Sequence, residues 1–166
     1  MESTNRKSDL LAPDVKEEID KWVVKYPEGQ KQSAVMAALH IAQDANNGWL
    51  TTGMMDAIAD YLDMPEIAVY EVASFYSMYE LKPVGRHKIC VCTNISCMLC
   101  DSEKVVGHLE NKLGIKLGET TKDGKFTLKE VECLGACVDA PVLQVGKDYH
   151  AKMTPEKIDE LLDSLD

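Results

Sequence analysis

The sequence predicts an α+β chain, with an antiparallel bundle of short helices first and a small α/β domain carrying a metal centre second. Three observations predict it. Apolar residues recur at helical spacing from about Asp14 to Met78. A proline- and glycine-bearing break, Lys82-Pro83-Val84-Gly85, then closes that half. Beyond it, alternating strand-like runs interleave with helical ones, and all six cysteines fall there. The domains are placed at 1–82 and 83–166.

Residues 1–12 read as frayed. Val15, Ile19, Trp22 and Val23 give a first amphipathic helix, stopped by Tyr26-Pro27-Glu28-Gly29. A second carries Val35, Met36, Leu39 and Ala42 and ends at Asn46-Asn47-Gly48, where the glycine suits a left-handed cap. Thr51 or Thr52 caps a third, with Met54, Met55, Ile58, Ala59 and Leu62. Asp63 to Glu66 resembles a capping box with Pro65 in the first turn. It opens a fourth helix bearing Ile67, Val72, Ala73, Phe75, Tyr76 and Met78. The Met and Tyr residues of these helices are read as core rather than as a cofactor box.

In the second half, His87 to Cys92 reads as a strand running into an irregular cysteine-bearing loop. Asp101 or Ser102 caps a helix with Val105, Val106, Leu109 and Leu113, closed by Gly114. Asp123-Gly124 is a turn, and Phe126 to Val131 alternates like a strand. Pro141–Val145 and Tyr149–Lys152 form a hairpin around Gly146-Lys147-Asp148, and Thr154-Pro155 opens a last helix with Ile158, Leu161, Leu162 and Leu165. Strand, helix, strand, strand, strand, helix is a thioredoxin-like order.

Formal net charge is −10, from 28 acidic and 18 basic residues. That balance repels phosphate backbones and anionic lipid, so neither nucleic acid nor a bare membrane surface is an expected partner. The start is polar, without a signal-peptide core or an Arg-rich transit pattern. No run approaches the roughly eighteen apolar residues that span a bilayer. A reducing cytosol is expected, where clustered thiols mean metal or redox chemistry. Asn94-Ile95-Ser96, a glycosylation pattern, is therefore read as accidental. Neither a dinucleotide fingerprint nor a phosphate loop is present, and the four histidines are given no role.

The cysteines fall in two knots, Cys90, Cys92, Cys97 and Cys100, then Cys133 and Cys137. An iron–sulfur cluster needs four soft anionic ligands, and thiolates from two loops at adjacent strand ends can supply them. Cys92 and Cys97 enclose four residues, Cys133 and Cys137 three, with Gly135 for a tight turn, and this two-plus-two set is favoured. Cys92, Cys97 and Cys100 also fit the C-x4-C-x2-C spacing of plant-type ferredoxins, which leaves one of the second knot idle. Cys97-Met98-Leu99-Cys100 before a helix fits a dithiol oxidoreductase, with Ala140-Pro141 in the place of a facing proline. A structural zinc would use four thiolates, though usually in C-x2-C halves. Cys90, mid-strand, is read as a buried free thiol.

Together, Ala73-Ser74-Phe75-Tyr76-Ser77-Met78-Tyr79, Lys82-Pro83-Val84-Gly85-Arg86-His87, Cys92-x4-Cys97 and Cys133-Leu134-Gly135-Ala136-Cys137 carry a resemblance. So do the segment Gly118 to Thr127 and the closing Met153-Thr154-Pro155-Glu156. From about residue 15 the chain resembles the thioredoxin-like 2Fe–2S subunit of NADH:quinone oxidoreductase, respiratory complex I. The resemblance implies one 2Fe–2S cluster on Cys92, Cys97, Cys133 and Cys137, with Cys90 and Cys100 as extra thiols. It implies one-electron transfer beside a partner subunit that binds NADH and FMN, with the large multi-cluster iron–sulfur subunit as a further neighbour. No NADH or quinone site is then expected on this chain. The place implied is the cytoplasmic face of the bacterial inner membrane, held there through the complex. Subunits of NAD-linked hydrogenases and formate dehydrogenases are similar enough to remain alternatives.

Overall fold

The computed structural model describes residues 7–165, in two compact units divided after Pro83. In the first unit, a 3-10 turn at Lys7–Leu10 precedes α1 (Pro13–Val23), α2 (Val35–Ala45), α3 (Thr52–Tyr61) and α4 (Glu66–Phe75). Their core gathers Ile19, Leu39, Ile58, Leu62 and Val69, all essentially inaccessible. The frayed reading of the N-terminus holds for none of Lys7–Leu11. Leu11 is buried, the Ser8 amide donates to Asp60 at 2.9 Å, and Lys7 pairs with Asp56 and Glu66. Residues 1–6 lie outside the described residues.

Thr51 caps α3 through its hydroxyl, which accepts from Met54 N–H. At the close of α2, Gly48 is left-handed as expected (φ 87°), Asn47 before it is left-handed too (φ 54°), and the Gly48 amide returns to the Gln43 carbonyl at 2.9 Å. The start of α4 differs from expectation. Asp63 does not cap α4. It is left-handed itself (φ 55°), the Met64 amide returns to Ala59, and the pair of bends closes α3. Pro65 sits in the N-cap position of α4, which has no side-chain cap. The buried face of α4 is Val69 and Ala73, while Ile67 and Phe75 stand exposed. α4 ends at Phe75 rather than running on to Met78, and Ile67 and Phe75 lie on the side of the helix opposite Val69 and Ala73, which puts them in the solvent stripe.

The second unit is a four-stranded sheet in the order β2-β1-β3-β4, from β1 (His87–Cys92), β2 (Phe126–Val131), β3 (Leu143–Val145) and β4 (Asp148–His150). β1 and β2 are parallel, so the chain must cross over between them, and it does so through α5 (Ile95–Leu99) and α6 (Ser102–Leu113). β3 runs antiparallel to β1 and turns through Gly146 (φ 60°) into β4. Side chains alternate along each strand. Ile89 and Val91 of β1, Leu128 of β2 and Leu143 of β3 form one core with Val105 and Leu109 of α6 and Ile158 and Leu162 of α7 (Pro155–Ser164). Thr154 caps α7 by accepting from Lys157 N–H. Asp101 stands at the N-cap of α6 but is left-handed (φ 66°) and makes no side-chain cap; its carboxylate pairs with Lys104.

Gly85 enters the sheet under a steric constraint. A Cβ there would lie 2.8 Å from the Phe126 carbonyl carbon and 3.0 Å from Lys125 backbone atoms. Its amide also donates to Thr127 Oγ1 at 2.6 Å in a buried setting. Gly85→Ala is therefore expected to cost about 1–3 kcal/mol in urea unfolding, as the backbone must move off β2. Gly107→Ala, mid-helix with open space around its Cβ, is the control and should gain up to about 1 kcal/mol.

Candidate metal centre

Because β1 and β2 are parallel and in register, with Cys92 opposite Val131, both cysteine loops leave the sheet at the same end. Cys92 closes β1 and is buried, its amide donating to the Val142 carbonyl at 3.1 Å. Cys97 is buried on α5, a short helix inside what the sequence reads as irregular loop. Cys92, Cys97 and Val142 pack as one small apolar cluster with Leu134, Ala136 and Ala140 around them. The Ala140–Pro141 bond, just ahead of Val142, is cis. Cys133 and Cys137 are exposed on the second loop, with the left-handed Gly135 (φ 74°) between them.

The four thiols meet. Cys133 Sγ lies 3.7 Å from Cys137 Sγ. Two thiolates on one tetrahedral metal at ~2.3 Å would sit about 3.8 Å apart, so this pair already has the spacing of two ligands sharing one ion. The Cys92 thiol is hydrogen-bonded with those of Cys97 and Cys133, and Cys97 also feels Cys137. Cys100, exposed at the end of α5, takes no part in these contacts. Cys90 is buried mid-strand, as expected. Among the described residues no three or more His, Cys, Asp or Glu close on a single ion. The thiols are arranged as two pairs, which is what a two-iron centre asks of them.

Backbone amides point at the sulfurs. Gly135 N–H donates to Cys133 Sγ at 3.4 Å, and Cys92 Sγ lies 3.3 Å from the Glu132 carbonyl. Burial raises the Cys92 pKa, but donated N–H groups of Leu134 and Asn94, with the Cys97 and Cys133 thiols, outweigh it and hold the pKa below that of an ordinary thiol. Burial pushes Cys97 up to about 11, with Cys92 adding to the rise. Cys97 is thus a donor to Cys92, not an activated nucleophile. The dithiol reading needs an accessible Cys97, and the structure buries it.

Sequence reasoning missed the polar residues between the loops. Thr93 Oγ1 donates to Glu130 Oε1 at 2.6 Å, and Asn94 Nδ2 to Glu132 Oε2 at 3.3 Å. Asn94 Oδ1 also accepts from Ile95 N–H at 2.7 Å and caps α5. An Asn in N-cap position before Ile95-Ser96-Cys97 is the available signal for that helix. Four apolar side chains border the thiols in the open: Ile95 (66% exposed), Met98 (57%), Leu99 (77%) and Val138 (89%). No helix of the described residues is long and apolar enough to cross a membrane.

A sequence model of the thioredoxin-like [2Fe-2S] ferredoxin family matches residues 19–166. The chain is 48% identical over 161 residues to an NADH-quinone oxidoreductase subunit of Rickettsia felis, covering 97% of this chain and 95% of that one. To a subunit of the same enzyme in Rhizobium meliloti it is 47% identical over 150 residues, covering 90% and 88%. A crystal structure of an NAD+-reducing [NiFe]-hydrogenase in the H2-reduced state shares the fold, at TM-score 0.70 and 21% identity. That match covers 79% of this chain and 22% of the hydrogenase chain. This chain, with its paired thiols at the end of a mixed four-stranded sheet, belongs to the thioredoxin-like [2Fe-2S] ferredoxin family and is a relative of subunits of NADH-quinone oxidoreductases.

Proposed function

We propose that this chain is the electron-transfer subunit of an NADH-oxidising, quinone-reducing complex and holds one [2Fe-2S] cluster on Cys92, Cys97, Cys133 and Cys137. The observation that carries the reading is the meeting of these four thiols, as two pairs, where two parallel strands end. When bound, the cluster supplies a one-electron acceptor and donor. Cys133 and Cys137 would share one iron, Cys92 and Cys97 the other. Amide N–H groups of Asn94, Leu134 and Gly135 aim at the sulfurs and offset part of their negative charge. The small apolar cluster of Val142, Leu134, Ala136 and Ala140 keeps water from the inner pair.

The partner is a subunit that binds FMN and NADH and passes one electron at a time to this chain, with the large multi-cluster iron–sulfur subunit as the further neighbour. Identity near 48% across almost the whole length favours a quinone-reducing complex over a hydrogenase, whose likeness is at 21%. The apolar border of Ile95, Met98, Leu99 and Val138 faces outward beside the exposed thiols, and we assign it to the flavin-bearing subunit. Leu99→Asp should weaken assembly with that subunit about tenfold, as loss of a central apolar anchor does, while iron content stays the same.

The test mixes the iron-loaded chain with NADH, alone and with its flavin-bearing subunit, and follows bleaching of the visible spectrum. Reduction is expected only with the subunit present. Reduction by NADH alone would overturn the assignment of NADH oxidation to the partner, and no reduction in either case would overturn the electron-transfer role.

A further inference from the structure

We propose that Asn94 and Glu132 are positioning residues that clasp the two cysteine loops, setting the distance between the inner and outer thiol pairs before iron binds. The proposal rests on the ligand assignment above.

The two loops share no ladder beyond the strand ends. The last backbone contact between them is the Thr93 amide to the Val131 carbonyl at 3.2 Å. Past it, side chains take over. Thr93 hydroxyl to Glu130 carboxylate (2.6 Å) runs from the first loop back to β2, and Asn94 amide to Glu132 carboxylate (3.3 Å) runs from the first loop to the second. Each of these clasps adjoins a thiol. Thr93 follows Cys92, and Glu132 precedes Cys133 while its carbonyl lies 3.3 Å from Cys92 Sγ.

Asn94 uses both ends of its amide. The oxygen caps α5, the helix that carries Cys97, and the nitrogen reaches Glu132. One side chain thereby ties the orientation of Cys97 to the position of Cys133. Both carboxylates are exposed, so each bond adds little to global stability. Its effect falls on how well the loops are held as ligand carriers. Glu132 also places a negative charge beside the thiols, which disfavours adding an electron to a cluster they hold.

The experiment reverses the clasp without removing the cap. Asp caps a helix as well as Asn does, so Asn94→Asp keeps α5 but sets two carboxylates against each other. Adding Glu132→Gln restores one hydrogen bond with donor and acceptor exchanged and returns the net charge to that of the unsubstituted chain. Full-length chains are loaded without air, and iron release to an excess chelator is timed by the loss of visible absorbance.

Asn94→Asp is expected to release iron at least tenfold faster, or to load poorly, and Asn94→Asp with Glu132→Gln to return to within about twofold of the unsubstituted chain. Glu132→Gln alone, which keeps an acceptor, should retain iron normally. At fixed potential its reduced-to-oxidised ratio should rise about threefold, or roughly 30 mV for a one-electron couple. Asn94→Asp behaving like the unsubstituted chain, or the double variant failing to recover, overturns the clasp. An unsubstituted chain that takes up no iron overturns the ligand assignment instead, which separates the two failures.

Discussion

Cys133→Ser and Cys137→Ser are each expected to take bound iron from about two atoms per chain to near zero, with loss of the visible absorbance. Both side chains are exposed, so the fold does not depend on them and the loss reports ligation alone. A serine oxygen is a harder, weaker donor to iron than a thiolate. It would also break a pair of sulfurs already 3.7 Å apart. Cys92→Ser and Cys97→Ser should have the same effect on iron. Because both are buried, circular dichroism of the iron-free variants is needed to show that they still fold. Cys90→Ala and Cys100→Ser are expected to keep their iron. The series separates three ligand schemes. Loss of iron in Cys100→Ser would favour the C-x4-C-x2-C set, and normal iron in Cys133→Ser and Cys137→Ser would remove the second knot altogether.

The second large effect lies in the sheet that aligns the loops. Ile89 is fully buried in β1, opposite Leu128 of β2 on one side and Val145 of β3 on the other. Ile89→Ala removes three buried carbons from the middle of this core and is expected to cost about 2–5 kcal/mol. For a domain whose whole stability is of order 5–15 kcal/mol, that is a large fraction. Urea unfolding of the iron-free chain, followed by far-ultraviolet circular dichroism, measures it. The core of Ile89 is separate from the one around Ile58 and Leu39. A destabilisation confined to the second unit should therefore appear as an earlier transition for part of the signal. A midpoint unchanged from that of the unsubstituted chain would contradict this placement of Ile89.

Period-two and period-3.6 patterns make most of the framework legible. His87–Cys92 and Phe126–Val131 alternate like strands and are strands, and the caps at Thr51 and Thr154 are visible as hydroxyls before apolar runs. The grouping of the thiols is legible because cysteines used as core filler do not fall in tight knots. What stays hidden depends on geometry that single residues do not declare. Asp63 resembles a cap because Glu66 follows it, yet Leu62 needs a left-handed residue after it to close α3. Asn47 joins the expected Gly48 in the left-handed region at the end of α2, since Asn, unlike most residues, tolerates positive φ. Hydrophobicity alone makes Ile67 and Phe75 look like core, and their phase on the helix, opposite Val69 and Ala73, puts them outside. Nothing in the sequence marks Glu130 and Glu132, because their partners Thr93 and Asn94 lie 37 and 38 residues earlier.

The central claim, four thiolates of this chain around one two-iron centre, is tested most directly by low-temperature EPR with iron and sulfide analysis. The protein is purified without air and measured before and after dithionite. A red-brown protein with about two irons and two sulfides per chain is expected, silent when oxidised and giving one rhombic signal when reduced. A protein that stays colourless after reconstitution with iron and sulfide would contradict it.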